Sequence, residues 1–137
     1  MASYEDLGIW QQAHRLHLDV SAVCRKLPRD DRYVVGTQLW RAALSVPNNI
    51  VEGYGLGTDR LFYRHLTIAQ GSLAETRYLL LVLKDLHLLD EKAYVAMVAQ
   101  ADRLGRALMA FRQAVKGRIS GRSQCPMPNP QSQASTP

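Results

Sequence analysis

Apolar residues recur at three- and four-residue steps along four stretches of this sequence, which is the spacing of helices that each bury one face. The first stretch covers residues 7–27, with Asp6 as its predicted N-cap and Pro28 just beyond its end. The second begins near Tyr33 and ends in the glycine-rich segment 53–57. The pattern therefore predicts two helices in the N-terminal part of the chain.

The C-terminal part of the chain shows the same period twice more. The third stretch opens at Thr58, a good N-cap residue, and its apolar positions continue to about Leu86. Asp90 is the predicted N-cap of the fourth stretch, which ends at Gly117. Residues 118–137 lose the period and hold four of the six prolines. We therefore predict two further helices, followed by a disordered tail rich in proline, serine and glutamine.

Four long helices with short connections, and no segment with the pattern of a strand, predict an all-α fold. Such helices pack most simply as an antiparallel up-down-up-down four-helix bundle, here one domain over residues 1–117. The third helix is apolar on more than one side near its end, in the segment YLLLVLKDLHLL at 78–89. Either this helix lies centrally in the bundle, or its second apolar face contacts another subunit; because a small bundle has little interior, we favour the subunit contact.

Composition is that of an ordinary globular protein. With 137 residues, 47% of them apolar and 21% charged, the chain is expected to form one soluble domain. The two cysteines share no motif, and no apolar stretch reaches the roughly 18 residues of a membrane span. The N-terminus has acidic residues where a signal peptide has basic ones. We therefore expect a cytoplasmic protein without disulfides and without a role at the membrane.

Motifs of the common bundle enzymes are missing from the sequence. A carboxylate-bridged metal pair needs Glu-x-x-His on two helices, and no glutamate here has a histidine at that spacing. His14 and His17 share one face of the first helix but lack a third ligand, and Cys24 lies on the apolar side of that helix. The segment GYGLG at 53–57 follows a helix, whereas a phosphate loop follows a strand. We predict a protein that is not an enzyme and that binds no cofactor or metal.

The second helix combines a polar stripe with an internal proline. The stripe consists of Gln38, Arg41, Ser45, Asn48 and Glu52. Pro47 cannot donate to the carbonyl of Ala43, so we expect a bend there, with the amides of the following asparagines near the disturbed backbone. On the third helix, Arg64, Gly71 and Glu75 are further polar or small positions. These residues form either a solvated face or a set of structural or intersubunit contacts.

Basic residues are concentrated at the C-terminal end of the fourth helix. The net charge is +5, and residues 103–122 include six basic residues and no acidic one. The candidate nucleic-acid contacts are Arg103, Arg106, Arg112, Lys116 and Arg118. These side chains either bind phosphates or complement the helix dipole, an effect of about 0.3–1 kcal/mol. Because no aromatic residues interleave with them to stack on bases, we do not expect a base-specific reader.

Three segments of the chain are similar to those of a known family. They are YEDLGIWQQA at 4–13, RAALSVPNNIVEGYG at 41–55 and FYRHLTIAQGSLAE at 62–75. In order and spacing they resemble the bacterial four-helix bundle proteins first associated with intervening sequences in 23S ribosomal RNA genes, over residues 4–117. The matching positions are Trp10, Arg41, Ser45, Pro47, Asn49, Ile50, Glu52, Gly53, Phe62, Arg64, Gly71, Ser72 and Glu75. Leu61 and His65 depart from the family pattern.

The resemblance implies a cytoplasmic four-helix bundle that assembles as a ring-like homopentamer and has no catalytic residues. Some genes of the family lie inside ribosomal RNA genes, and distant relatives are accessory proteins of reverse transcriptases. Both associations imply binding to RNA or to a nucleoprotein. For the shared polar cluster the resemblance implies a structural or intersubunit role; its members are Arg41, Ser45, Asn49, Glu52, Arg64 and Glu75.

Two functional hypotheses from different classes follow. The leading one is a non-enzymatic, homo-oligomeric bundle whose basic surface binds RNA or a ribonucleoprotein. The alternative is a protein–protein interaction scaffold without a nucleic-acid role, in which the polar residues of the second and third helices contact a protein partner. The two hypotheses differ in whether the basic residues of the fourth helix contribute to binding.

Overall fold

The computed structural model describes residues 2–123, with side chains to residue 121, and all the regular structure in this part is helical. The four long helices are α1 (Gly8–Lys26), α2 (Thr37–Gly55), α3 (Asp59–Asp85) and α4 (Glu91–Ser123). A one-turn 3₁₀ helix, Tyr4–Asp6, precedes α1. Within the described residues, none of these helices has both the length and the hydropathy that crossing a bilayer requires. The predicted all-α class is confirmed.

The helices pack as an antiparallel bundle. Each helix contacts the next one along the chain, and α1 also contacts α4. Asp59, at the start of α3, pairs with Arg118 near the end of α4. Arg77, further along α3, pairs with Asp102, which lies earlier in α4. Because partner positions move back along α4 as they advance along α3, the two helices are antiparallel, as the predicted up-down-up-down bundle requires.

The core is formed by aliphatic side chains between the four helices. Its largest fully buried members are Leu16, Val20, Leu39, Val46, Ile50, Leu66, Leu80, Leu83, Leu104, Leu108 and Val115. They recur at three- and four-residue steps because each helix of a bundle removes one side from water. Thr76 is buried among them, and its hydroxyl donates to the carbonyl oxygen of Ser72 at 2.8 Å.

The start of α1 differs from the prediction. Asp6 does not cap α1; it lies in the 3₁₀ helix, where its carboxylate accepts from the backbone N–H of Ser3 at 3.0 Å. The hydroxyl of Ser3 accepts from the N–H of Glu5 at 3.2 Å. Leu7 is the N-cap residue of α1 and makes no side-chain cap. Asp6 is therefore the second partner of a capping box that begins at Ser3, and it is not available to the next helix.

A short helix, Arg29–Asp31, and a π-helical turn, Arg32–Gly36, lead without a break into α2. α1 ends at Lys26, so the prediction that it stops before Pro28 is confirmed. The helical backbone before α2 starts earlier than the predicted position near Tyr33. Most side chains of these first turns are exposed, and an exposed turn leaves no apolar period in the sequence.

α2 continues through Pro47, and Pro47 is buried. Because proline has no N–H, the carbonyl oxygen of Ala43 loses its usual helical donor. The side-chain amide of Asn49 donates to the backbone carbonyl oxygen of Ser45 at 2.7 Å, and not to that of Ala43. The bend at Pro47 stays a prediction.

The glycines at the end of α2 have different roles. α2 continues past Gly53 and ends at Gly55, so the prediction that it ends within the glycine-rich segment 53–57 is confirmed. The chain reverses at Gly57, whose φ of +79° is a conformation that glycine adopts without steric cost. Thr58 then caps α3 by accepting from the N–H of Leu61 at 3.3 Å, as predicted. Asp90 likewise caps α4.

α4 is longer than predicted. The helix continues past Gly117 to Ser123, so the prediction that residues from 118 onward leave the helix is wrong for residues 118–123. Ile119 packs against the core two residues beyond this glycine, which extends the buried face of α4. A glycine inside a helix costs only about 1 kcal/mol and does not end a helix that has such support. The remainder of the predicted tail, residues 124–137, lies outside the described residues.

Candidate functional site

α2 and α3 share a set of polar side chains, which we call the α2–α3 network: hydrogen bonds link Ser45, Asn49, His65 and Ser72, and Glu52 lies beside His65. The hydroxyls of Ser45 and Ser72 are 2.8 Å apart, so one donates to the other across the two helices. The amide nitrogen of Asn49 donates to the carbonyl oxygen of Ser45 at 2.7 Å and to its hydroxyl at 3.0 Å. The network joins α2 to α3 midway along both helices.

His65 extends the network along α2. Its Nδ1 lies 3.0 Å from Oδ1 of Asn49 and 3.8 Å from Oε2 of Glu52. Because the amide nitrogen of Asn49 already donates to Ser45, its oxygen is the acceptor, and Nδ1 of His65 must carry a proton. The His65 side chain is 14% exposed, so losing this partner would leave a largely buried donor unpaired.

Gly53 lies where α2 approaches α3 closely. A Cβ on this residue would stand 2.7 Å from Cβ of His65 and 2.9 Å from Cδ2 of Phe62. Non-bonded carbon atoms are normally about 3.5–4.0 Å apart, so only glycine fits without a shift of α3. Phe62 is itself held edge-on between Tyr54 and Phe111. The close approach allows the short side chains of the α2–α3 network to meet.

The other members of the predicted polar cluster do not join the network. Arg41, Arg64 and Glu75 are exposed, and none of them makes an ion pair within residues 2–121. Two of them belong to a continuous exposed stripe at three- and four-residue steps, which we call the outer stripe of α3. It consists of Leu61, Arg64, Ile68, Gly71, Glu75 and Tyr78. A Cβ on Gly71 would meet nothing within 4 Å, so no helix within residues 2–123 packs there.

The five basic residues predicted to bind nucleic acid have different surroundings. Arg118 pairs with Asp59 at 3.3 Å. The guanidinium of Arg112 lies over the ring of Tyr63, 5.7 Å from its centroid. The remaining three are exposed: Arg103, Arg106 and Lys116. Contacts within the bundle thus hold two of the five cations, and three face solvent.

Two of the exposed cations line an open groove between α1 and α4, which we call the α1–α4 groove. Its volume is about 750 Å³, and its lining residues are Gln11, Gln12, Arg15, Asp19, Gln100, Arg103 and Arg106. Arg15 adds a third guanidinium, which lies 3.7 Å from the carboxylate of Asp19. The groove therefore carries three cations and one anion. Arg15 is not predicted from the sequence, because it is far along the chain from the basic segment of α4.

The two histidines of α1 make aromatic contacts. His14 stacks on Trp10 with ring centroids 4.8 Å apart, and His17 meets Trp40 edge-on at 5.2 Å. Burial, and secondarily the nearby His14, lower the pKa of His17. Among the side chains that the structure describes, no three histidine, cysteine or acidic residues come together as a metal site would require.

Cys24 is buried, and its Sγ lies 3.4 Å from the carbonyl oxygen of Gly36. Burial raises the pKa of its thiol. Because the thiolate is the reactive form, this thiol is poorly placed for nucleophilic chemistry at neutral pH. The buried cysteine predicted on the apolar side of the first helix is confirmed.

These features together define a small all-α bundle protein with a polar network between α2 and α3 and a basic groove between α1 and α4. The sequence profile of the family described as 23S rRNA-intervening sequence protein matches residues 5–110. The chain therefore belongs to the 23S rRNA-intervening sequence protein family, and the resemblance carried by its three sequence segments is confirmed.

A solved structure shares this fold. It is the crystal structure of a protein with unknown function from the S23 ribosomal protein family of Bacteroides thetaiotaomicron. The two superpose with a TM-score of 0.71 at 18% sequence identity, over 76% of this chain and 97% of that chain. At this identity the likeness supports the four-helix fold and nothing more specific. No curated protein sequence matches the chain.

Proposed function

We propose that this protein is a cytoplasmic, non-enzymatic homo-oligomer, a pentamer, that binds RNA or a ribonucleoprotein through the basic surface of α4. The distribution of charge carries the proposal. α4 has no acidic residue from Arg103 to its end, and three exposed cations in this segment, Arg103, Arg106 and Lys116, make no ion pair among the described side chains. Such a surface attracts phosphates whatever their sequence. The description of the family, 23S rRNA-intervening sequence protein, supports the same class of ligand.

Binding to a structured RNA hairpin is expected to weaken steeply as salt is added. Each neutralised phosphate contributes about 0.7–0.9 to the slope of log K against log salt concentration, so three exposed cations predict a slope of about −2 to −3 per protomer. A fluorescence anisotropy titration between about 50 and 200 mM salt measures this slope. Absence of binding at the lowest salt would contradict the RNA proposal and favour the protein-interaction scaffold.

We assign the contact between copies to the outer stripe of α3. Leu61, Ile68 and Tyr78 are 38%, 43% and 63% exposed, which is unusual for large apolar side chains that share one side of a helix. Arg64 and Glu75, on the same stripe, have no ion-pair partner among residues 2–121, and opposite charges can pair across a subunit contact. The helix thus offers a second copy both apolar area and complementary charge.

The assembled protein is expected to have about five times the 15.4 kDa mass of the chain. Ile68→Glu should dissociate it, because a charge buried in an apolar contact is costly. The matched control is Val95→Glu, at a 58% exposed position of α4, which should keep the full mass. Light scattering at micromolar concentration measures both variants. A monomeric wild type, or an Ile68→Glu variant of unchanged mass, would contradict this assignment.

A further inference from the structure

We infer that the α1–α4 groove holds the backbone of double-helical RNA, with phosphates on Arg15, Arg103 and Arg106. The inference rests on the proposed function and adds to it the place where RNA lies and the form of RNA that fits. It also assigns a role to Arg15, which belongs to α1 and not to the basic segment of α4.

The groove has the geometry for an extended anion. Its α1 wall carries Gln12, Arg15 and Asp19, and its α4 wall carries Gln100, Arg103 and Arg106. Residues three or four positions apart lie on one side of a helix, about 5–6 Å from each other. The positions of the three arginines are therefore spread along two neighbouring helices. A backbone with repeated charges matches this spread better than a single small anion does.

No buried ion pair among the described residues holds the cations of the groove. Asp102, next to Arg103 in the chain, pairs with Arg77 of α3 at 2.9 Å and so is directed away from the groove. The Arg15 and Asp19 side chains are 73% and 40% exposed, so water screens their attraction. The two groove arginines of α4 make no ion pair among the described side chains. Arg118, by contrast, is paired within the fold.

The lining residues favour the RNA backbone over its bases. None of them is aromatic, so the groove offers no surface on which unpaired bases could stack. An A-form duplex presents phosphates and 2′-hydroxyls along a wide, shallow minor groove. The amides of Gln12 and Gln100 can both donate and accept, as a 2′-hydroxyl does, and neither makes a hydrogen bond within the described residues. Gln11 differs, since its amide donates to the carbonyl oxygen of Glu5 at 2.8 Å.

A charge-neutralising variant tests the site in the full-length chain. It combines Arg15→Gln, Arg103→Gln and Arg106→Gln, and its control combines Arg29→Gln, Arg60→Gln and Lys92→Gln. The control removes the same charge from exposed residues that do not line the groove. With a hairpin RNA at about 100 mM salt, the groove variant should bind about 10- to 100-fold more weakly. Arg15 raises the number of contacting cations to four, for a wild-type salt slope of about −3 to −4, and the groove variant should reduce this slope by about 2–3. The control should lose less than about threefold, as long-range attraction is screened at this salt.

Two further variants test the effect of the anion in the groove and the preference for RNA over DNA. Asp19→Asn removes the anion of the groove and should tighten binding about threefold or more, since the phosphates no longer face a like charge. Wild-type protein should bind an RNA duplex several-fold more tightly than a DNA duplex of the same sequence. Replacing Gln12 and Gln100 with alanine should reduce that preference. Each altered side chain is on the surface, so folding should change by no more than about 0.5 kcal/mol, which thermal unfolding can verify.

The outcomes separate this inference from the proposed function. If wild-type protein binds no RNA at low salt, the proposed function fails and the groove assignment fails with it. If wild-type protein binds RNA but the groove and control variants weaken equally, the groove assignment is overturned while RNA binding stands. Equal affinity of wild type for RNA and DNA duplexes would overturn the role of the glutamines. Selective loss in the groove variant, with a gain in Asp19→Asn, supports the inference.

Discussion

Gly53→Ala is expected to lower the free energy of unfolding by about 1–3 kcal/mol, even though alanine is the better helix former. The new Cβ would lie 2.7 Å from Cβ of His65 and 2.9 Å from Cδ2 of Phe62. The first of these atoms is attached directly to the α3 backbone, so it cannot move aside without moving the helix. Phe62 is also confined, since it packs against Phe111 of α4. Urea denaturation at a single protein concentration measures the loss.

Gly55→Ala is the matched control for this experiment. It lies in the same helix two residues later, and a Cβ there would meet nothing within 4 Å. Its expected effect is therefore of the opposite sign, a gain of about 0.5–1 kcal/mol from the higher helix propensity of alanine. If both variants gain stability, the contact between α2 and α3 has more room than the structure shows. A loss confined to Gly53→Ala would establish the close approach.

Asn49→Ala is expected to cost about 2 kcal/mol, because it removes a side chain that is both donor and acceptor in the α2–α3 network. The variant takes a donor from the carbonyl oxygen and hydroxyl of Ser45, and an acceptor from Nδ1 of His65. The histidine side chain is 14% exposed, so water cannot fully replace the lost partner. Equilibrium unfolding in urea measures the loss.

The chain contains its own control for this prediction. Asn48 precedes Asn49 in the same helix but is exposed and makes no hydrogen bond among the described residues. Asn48→Ala should therefore change the unfolding free energy by no more than about 0.5 kcal/mol. Equal losses in the two variants would mean that helix propensity, and not the network, accounts for the effect.

Local signals in the sequence predicted most of the helix boundaries. Thr58 and Asp90 cap their helices because a cap needs only a side chain and a backbone N–H a few residues away. The prediction that Asp6 caps α1 was wrong for an equally local reason. Asp6 forms a capping box with Ser3 at the start of the 3₁₀ helix and is therefore not available to α1. The predicted end of α4 was wrong for a different reason. Glycine at position 117 is a local breaking signal, but burial of Ile119 against the core outweighs it.

The candidate sites were predicted less completely than the fold. Ser45, Asn49 and Glu52 were found through the family motif, but His65 departs from that motif and still joins the same network. The contact between His65 and Gly53 could not be predicted from the sequence, because it depends on the close packing of α2 against α3. The role of Arg15 in the groove could not be predicted either. The sequence of one amphipathic helix does not indicate which charged residues of another helix lie beside it.

The sequence alone determined that the chain forms four amphipathic helices, which residues each helix buries, and to which family it belongs. These properties follow from the 3.6-residue period and from residues close together in the chain. Only the tertiary structure decided that Arg112 and Arg118 are held by Tyr63 and Asp59, while Arg103 and Arg106 join Arg15 in a groove. Which polar faces meet depends on the rotation of each helix about its axis, and packing of all four helices sets that rotation.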